Sequence, residues 1–310
     1  MEVAAQLAVL RRRWAGFWPA ADVDALVADV RTRLSAALDA WSLPAPAVLP
    51  GGHVALVLAA GDAVLKLNPR DHLDAAELAG EGAALAFWAP TGAVPRLLAS
   101  RDDGFTLLLE RLRPGTPLDD AGLPWERRLR ATGALAARLH AAGAPPRSLP
   151  HVSADYARGW REALASAPEE LAELEALLAP RADDVLLHAD LHGGNALAGA
   201  DGGWRAIDPH GVRGDRHADV WALIDPLAPP LPDAPGAAAA TARAALETYA
   251  AAARLEPGRA AAWARLRARA EALAIDADGD DAEPEDRAWA RRLHRFADAL
   301  THPRATRRVP

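Results

Sequence analysis

The sequence predicts an α+β fold in which a small antiparallel sheet precedes a larger, mostly helical region. Three observations carry this. Between Pro50 and Leu112 the apolar residues fall in short runs separated by turns rich in Gly, Asp and Pro, the pattern of hairpin-linked strands. From Pro114 onward apolar residues recur at helical spacing. Alanine supplies much of the 51% hydrophobic fraction and favours helix. At 310 residues the chain is long enough for two lobes, which we assign to 1–112 and 113–310.

The N-terminal region through residue 43 reads as helical. Its clearest stretch is Asp22–Trp41, with Val23, Leu26, Val27, Val30, Leu34 and Leu38 on one face and Asp22 as the expected N-cap. Trp14, Phe17 and Trp18 read as packing residues. Pro44, Pro46 and Pro50 end this pattern. A hairpin follows, with strands Val54–Leu58 and Ala63–Leu67 about the turn Ala59–Asp62. Gly51-Gly52 opens it and serves either as a plain turn or as backbone approaching phosphate. A helix over Asp74–Trp88 leads to strands Val94–Ala99 and Phe105–Glu110. The remainder predicts helices at Trp125–Ala142, Ala154–Ala165, Glu169–Leu178, Ala237–Ala253, Gly258–Ala274 and Glu285–Leu300. The Arg-rich tail THPRATRRVP is expected to be disordered.

Composition narrows the function. The net charge of −7 argues against nucleic-acid binding and suits a cationic substrate. The absence of cysteine excludes disulfides and thiolate metal sites. No apolar run reaches the ~20 residues of a membrane span. The opening MEVAAQLAVLRRRW places its arginines after the apolar stretch, the reverse of a secretory signal, so a cytoplasmic location is expected. The sequence leaves the oligomeric state open. Lys66 is the only lysine; every other basic side chain of the 35 is arginine. A position that keeps lysine in such a chain points to a need for a compact ammonium on a flexible stem.

The chemistry concentrates in Leu186–Gly211, LLHADLHGGNALAGADGGWRAIDPHG. Two short apolar runs, Leu186-Leu187 and Trp204–Ile207, flank a polar turn carrying His188, Asp190, His192 and Asn195, and the second run ends in Asp208. One carboxylate to orient an acceptor hydroxyl, with an amide and a second carboxylate to hold a cation on nucleotide phosphates, is the layout that phosphoryl transfer needs. Without that chemistry, the segment would be a surface turn whose Asp and Asn satisfy their own backbone.

The string from His188 to Asn195 is similar to the kinase catalytic loop. HADLHGGN followed by IDP resembles the aminoglycoside phosphotransferase family, a branch of the protein-kinase-like fold. The likeness runs from about Pro50 to the final helices and is closest to the streptomycin-type 6-phosphotransferases and their hydroxyurea-phosphotransferase relatives. The phrases VLKLNPR, LLLERLRPG, LLHADLHGGN, WRAIDPHGVRGD and LEPGRAAAW carry it. It implies a two-lobed kinase-like fold with ATP (or GTP) between the lobes. Asp190 is then the catalytic base, and Asn195 and Asp208 hold Mg²⁺. Lys66 neutralises phosphate charge, oriented by a carboxylate on the next helix, for which the pattern favours Glu81 over Glu77. The strand end at Glu110–Leu112 is then the hinge whose backbone meets the base. Asp219 braces the catalytic loop, and Asp215 either caps the following helix or faces the substrate.

Two departures stand out. Ala189 replaces the family's usual glycine, a mild change by size, and Gly193 replaces a common proline. His210 follows Asp208-Pro209 where relatives often carry a charged residue, which bears on acceptor choice. The role of His192, to contact phosphate or stiffen the turn, stays open. The expected activity is transfer of the γ-phosphate to a hydroxyl of a small cationic acceptor, with an aminoglycoside such as streptomycin foremost. Hydroxyurea, an amino alcohol, a sugar or a metabolite are the other acceptors, and a nucleotide-binding pseudokinase is the non-catalytic alternative. The acidic stretch Asp276–Asp286 is either a solvated loop or a fringe that attracts the acceptor.

Overall fold

The computed structural model describes residues 3–16, 18–49, 54–70, 75–225, 228–279 and 282–301, with the side chains of 75–79 outside that description. Gly51-Gly52, the Glu77 side chain, Phe17, part of the acidic stretch and the C-terminal tail therefore lie outside the described residues.

Two helices open the chain, α1 (Val3–Trp14) and α2 (Ala20–Ala40). Strands β1 (Ala47–Val48), β2 (Leu56–Ala60) and β3 (Ala63–Leu67) follow, then α3 (Ala75–Trp88), β4 (Leu97–Arg101) and β5 (Thr106–Glu110). Beyond these come α4 (Trp125–His140), α5 (Arg158–Ala163) and α6 (Pro168–Leu178). A loop-rich segment carries β6 (Val185–Leu187), β7 (Ala196–Ala198), β8 (Trp204–Ala206) and β9 (Val212–Gly214). The short α7 (Trp221–Ile224) and the longer α8 (Pro235–Ala253), α9 (Pro257–Ala277) and α10 (Pro284–Thr301) complete the chain. Among the described residues no helix is long and apolar enough to cross a membrane.

The first five strands form one antiparallel sheet in the order β1-β2-β3-β5-β4. Strand alternation sorts its side chains. Leu56, Leu58, Leu65, Leu67 and Leu108 face α1 and α2, where they meet Leu10, Trp14, Leu26 and Val30. Leu107 and Leu109 face the other way, onto Ala84, Leu85 and Trp88 of α3. Lys66 lies between Leu65 and Leu67 and so is set on the α3 side. The buried Arg33 of α2 donates to the carbonyls of Asn68 (2.6 Å) and Phe105 (3.0 Å), satisfying backbone at the ends of the two central strands.

α2 begins at Ala20 with Pro19 as N-cap, so Asp22 sits within the first turn instead of capping it. There its charge favours the helix N-terminus. α5 is shorter than its expected span because 3₁₀ turns over 155–157 and 164–166 flank it. The two strands flanking the polar turn do not pair with each other. β6 pairs with β9 (Leu187 opposite Val212) and β8 pairs with β7 (Ala198 opposite Trp204). Ladders of three residues are too short for alternation to reveal their partners.

In the helical lobe α4 lies so close to α8 that a Cβ at Gly133 would stand 2.9 Å from the Tyr249 carbonyl. Trp263, Tyr249 and Phe296 are fully buried among α8, α9 and α10. Asp215 ties α9 to the loop after β9. Its buried carboxylate accepts from the His217 backbone N–H (3.1 Å), the Trp263 indole (2.8 Å) and Arg259. It thus caps the turn at 216–218. Burial opposes its charge, but the donors from His217 and Trp263 outweigh this and hold its carboxyl far below the usual range. A depressed carboxyl contributes stability above its unfolded value of about 4 and loses it as pH falls toward the folded one. Asp215→Asn is expected to lower stability by roughly 1–3 kcal/mol in urea unfolding at pH 7. That difference from wild type should shrink as the pH is taken below about 4.

Candidate active site

β3 and α3 bring a lysine and a glutamate together in the sheet lobe. Lys66 Nζ donates to Glu81 Oε2 at 2.7 Å and also to Asp208. The Lys66 and Glu81 side chains are 7% and 2% exposed, whereas that of Asp208 is 53% exposed and forms an open wall of the cleft. Burial opposes the Lys66 charge, but the two carboxylates overcome it and hold the ammonium protonated. The Lys66 cation beside it holds the Asp208 carboxyl below its usual range, keeping it ionised. Glu81 is raised by its burial against the pull of Lys66. Asn68, two residues after Lys66 on the same strand face, donates to Glu81 Oε2 at 3.2 Å. The two-residue period of VLKLN is the signal that could have found it.

The helical lobe presents the 188–195 loop. Asp219 lies beneath it, 1% exposed, and accepts from the N–H groups of His188 (3.0 Å) and Ala189 (2.7 Å) and from His140 Nε2 (2.8 Å). Burial works against its charge, but these donors, His140 foremost, keep the carboxyl low. His188 is fully buried, bonds the Ile207 carbonyl at 2.9 Å and stacks on Trp88 at 6.4 Å. Burial lowers its pKa, so it is neutral and structural. Trp88 belongs to α3, and this stack joins the two lobes. Close by, α3 touches the segment after Asp208, where a Cβ on Gly211 (φ +68°) would stand 3.0 Å from the Gly80 carbonyl. Ala189 itself has φ +69°. The replacement of the usual glycine is therefore not mild, because an L side chain is strained in this region.

Asn195 donates to Asp190 twice, to its carbonyl and to Oδ2, each at 2.9 Å. This turns the amide N–H groups toward Asp190 and leaves Oδ1 as the oxygen donor. The Ile207 N–H bonds the Asn195 carbonyl at 2.9 Å, which holds the loop beside the segment ending in Asp208. Oxygen donors from Asn195 and Asp208 suit a hard divalent cation.

His192 caps the turn at 193–195 by accepting from the Gly194 N–H at 3.1 Å. Its ring stands 3.7 Å from Asp190 and 3.2 Å from Asp225, and Asp119 completes a cluster with His192 and Asp225. Burial disfavours its charge, but Asp225, Asp190 and Asp119 outweigh this and raise its pKa. The His210 ring packs edge-on to Tyr156 at 5.5 Å, and the His210 backbone N–H donates to the His188 carbonyl at 3.1 Å. At Glu110–Leu112 two backbone donors are already engaged, Glu110 with the Arg96 carbonyl (2.9 Å) and Arg111 with the Asp62 carbonyl (3.0 Å). Sequence reading passed over His140, Asp119 and Asp225, which reach the loop from distant helices and turns and carry no local signature.

The chain is similar to known proteins over most of its length. The family described as aminoglycoside/hydroxyurea antibiotic resistance kinase matches residues 40–279. A hydroxyurea phosphotransferase of Kitasatospora aureofaciens is 38% identical over 234 residues, covering 69% of this chain and 65% of that protein. The streptomycin 6-kinase of Streptomyces griseus is 32% identical over 266 residues, covering 78% of this chain and 82% of that protein. Among solved structures, a choline/ethanolamine kinase family protein from Mesorhizobium loti superposes with a TM-score of 0.57 at 18% identity, covering 84% of this chain and 89% of that chain. That likeness shows the two-lobed, protein-kinase-like fold. With most of its length inside the family match, the chain belongs to the aminoglycoside/hydroxyurea antibiotic resistance kinases.

Proposed function

We propose that this protein transfers the γ-phosphate of ATP to a hydroxyl of a small cationic acceptor, an aminoglycoside of the streptomycin type. The observation that carries this is the convergence of two charged sets. Lys66, Glu81 and Asp208 are bonded together on one side, and Asp190 and Asn195 on the other, with Ile207 bridging them through its N–H to Asn195.

In this reading Asp190 orients the acceptor hydroxyl and takes its proton, while Asn195 fixes the carboxylate through Oδ2. The transition state is loose, so holding the hydroxyl in line matters more than basicity. Asn195 Oδ1 and Asp208 would hold Mg²⁺, which when bound neutralises phosphate charge. Lys66 exchanges part of its contact with Asp208 for phosphate oxygens and keeps Glu81. The lobes meet at 110–113, where backbone groups of Glu110–Leu112 would receive the adenine, the Glu110 and Arg111 N–H groups being already engaged within the sheet lobe. Asp225 stands 3.2 Å from His192 beside Asp190, which supports a cationic acceptor, while Asp119 of the same cluster is already paired with Arg128 at 2.9 Å. The acidic stretch offers less support, since Asp276 is bonded by His294 at 2.7 Å. Hydroxyurea is a second reading, favoured by the 38% identity to the hydroxyurea phosphotransferase.

Coupled ADP release with Mg-ATP separates these readings, using streptomycin, other aminoglycosides, hydroxyurea and amino alcohols as acceptors. Streptomycin-dependent turnover is expected. Turnover with hydroxyurea alone would move the assignment to the second reading, and turnover with no acceptor would sink both. Asp190→Asn should lower kcat by ~10²–10⁴-fold while nucleotide binding, read by calorimetry, is retained. Lys66→Arg keeps the charge, but a planar guanidinium does not fit between Glu81 and Asp208 as the ammonium does. Its kcat/KM for ATP should fall at least ~10-fold, a loss of about 1.4 kcal/mol of transition-state stabilisation. Full activity in that variant would make the single lysine incidental.

A further inference from the structure

We propose that Arg267 and Tyr156 are positioning residues for Asp190: together they hold the Ala189 carbonyl, and so keep Ala189 in the left-handed conformation from which Asp190 projects. This rests on reading Asp190 as the base.

The argument starts at Ala189, whose φ of +69° is one that an L side chain seldom adopts. Left alone, the residue would relax and rotate the peptide leading into Asp190. The structure holds that residue from both ends. Its N–H donates to Asp219 at 2.7 Å, and its carbonyl accepts from the Tyr156 hydroxyl and from Arg267 Nη1, each at 3.1 Å. The Asp219 contact alone does not define the peptide plane on the Asp190 side; the carbonyl contacts do.

Arg267 is built to stay in place. It is 4% exposed, and its guanidinium lies 4.8 Å from the centre of the Trp160 ring and 4.6 Å from that of Trp221. Glu271, one turn further along α9, attracts that guanidinium and accepts a hydrogen bond from Trp160. A buried cation held between two indole faces is expensive to assemble. Its guanidinium donates to the carbonyl preceding Asp190. Tyr156 is similarly fixed, edge-on to Trp160 at 5.2 Å. Displacement of a reacting group by a fraction of an ångström is costly in a reaction that depends on in-line placement.

Kinetics and crystallography on Arg267→Met, Tyr156→Phe and each combined with Ala189→Gly test this. Glycine occupies positive φ without strain, so it should hold the Asp190 geometry even where the clamp is gone. With streptomycin or hydroxyurea as acceptor, Arg267→Met should lower kcat by ~10- to 100-fold with the KM for Mg-ATP unchanged. Tyr156→Phe should show a smaller loss of the same kind, and Ala189→Gly should restore most of it in either background. A merely structural role would not be rescued by glycine at 189. An unchanged kcat in both single variants, or a loss that glycine leaves intact, would overturn the proposal. If Arg267→Met does not fold, the Tyr156→Phe pair decides on the same criteria. If wild type phosphorylates neither acceptor, the acceptor assignment fails separately, and the crystal structures decide the clamp. Residue 189 leaving positive φ in the clamp variants and returning to it with glycine supports it; φ unchanged in them overturns it.

Discussion

The carboxylate of Asp219 is the interaction on which the rest of the site depends. It is buried beneath the 188–195 loop and receives donors from His188, Ala189 and His140. Tyr249 adds a bond to its backbone carbonyl. A buried carboxylate is tolerated only when its acceptors are filled, and its donors come from the 188–195 loop and α4. The packing of α4 and the placement of the loop that carries Asp190 are thereby tied through one side chain. Ala189, whose N–H feeds Asp219, is also the residue that adopts a positive φ.

A second constraint links the lobes. Lys66 and Glu81 are placed by the sheet and α3, Asp208 by the helical lobe, and the ammonium satisfies both carboxylates. Trp88 on His188, and Gly80 against Gly211, bring α3 to the same seam through packing. Charge and shape agree there. Of the two carboxylates that share the ammonium, Asp208 opens to solvent and Glu81 does not.

Much of this was legible in the chain. The hairpin around Lys66, the helices of the second lobe and the string from His188 to Asn195 rest on local periodicity and fixed spacing, which persist whatever the rest of the molecule does. Their ends moved by a few residues, as at Asp22 and in α5, where prolines and 3₁₀ turns decide boundaries. The pairing of β6 with β9 was not legible, because three-residue strands carry no register of their own. Ala189 looked mild by size; only its backbone angle shows the cost.

By itself the sequence determined which residue types stand at which spacing: one lysine on a strand, a glutamate 15 residues on, and Asp190, Asn195 and Asp208 around a polar turn. Spacing along a chain is sufficient for chemistry confined to one loop or one strand face. Only the tertiary structure decided that Lys66 bonds Asp208 across 142 residues, that His140 and Asp219 meet under the loop, and that Arg267 reaches the Ala189 carbonyl from α9. Those contacts join separate elements whose approach is set by helix packing and buried charge. Neither leaves a mark on neighbouring residues in the sequence.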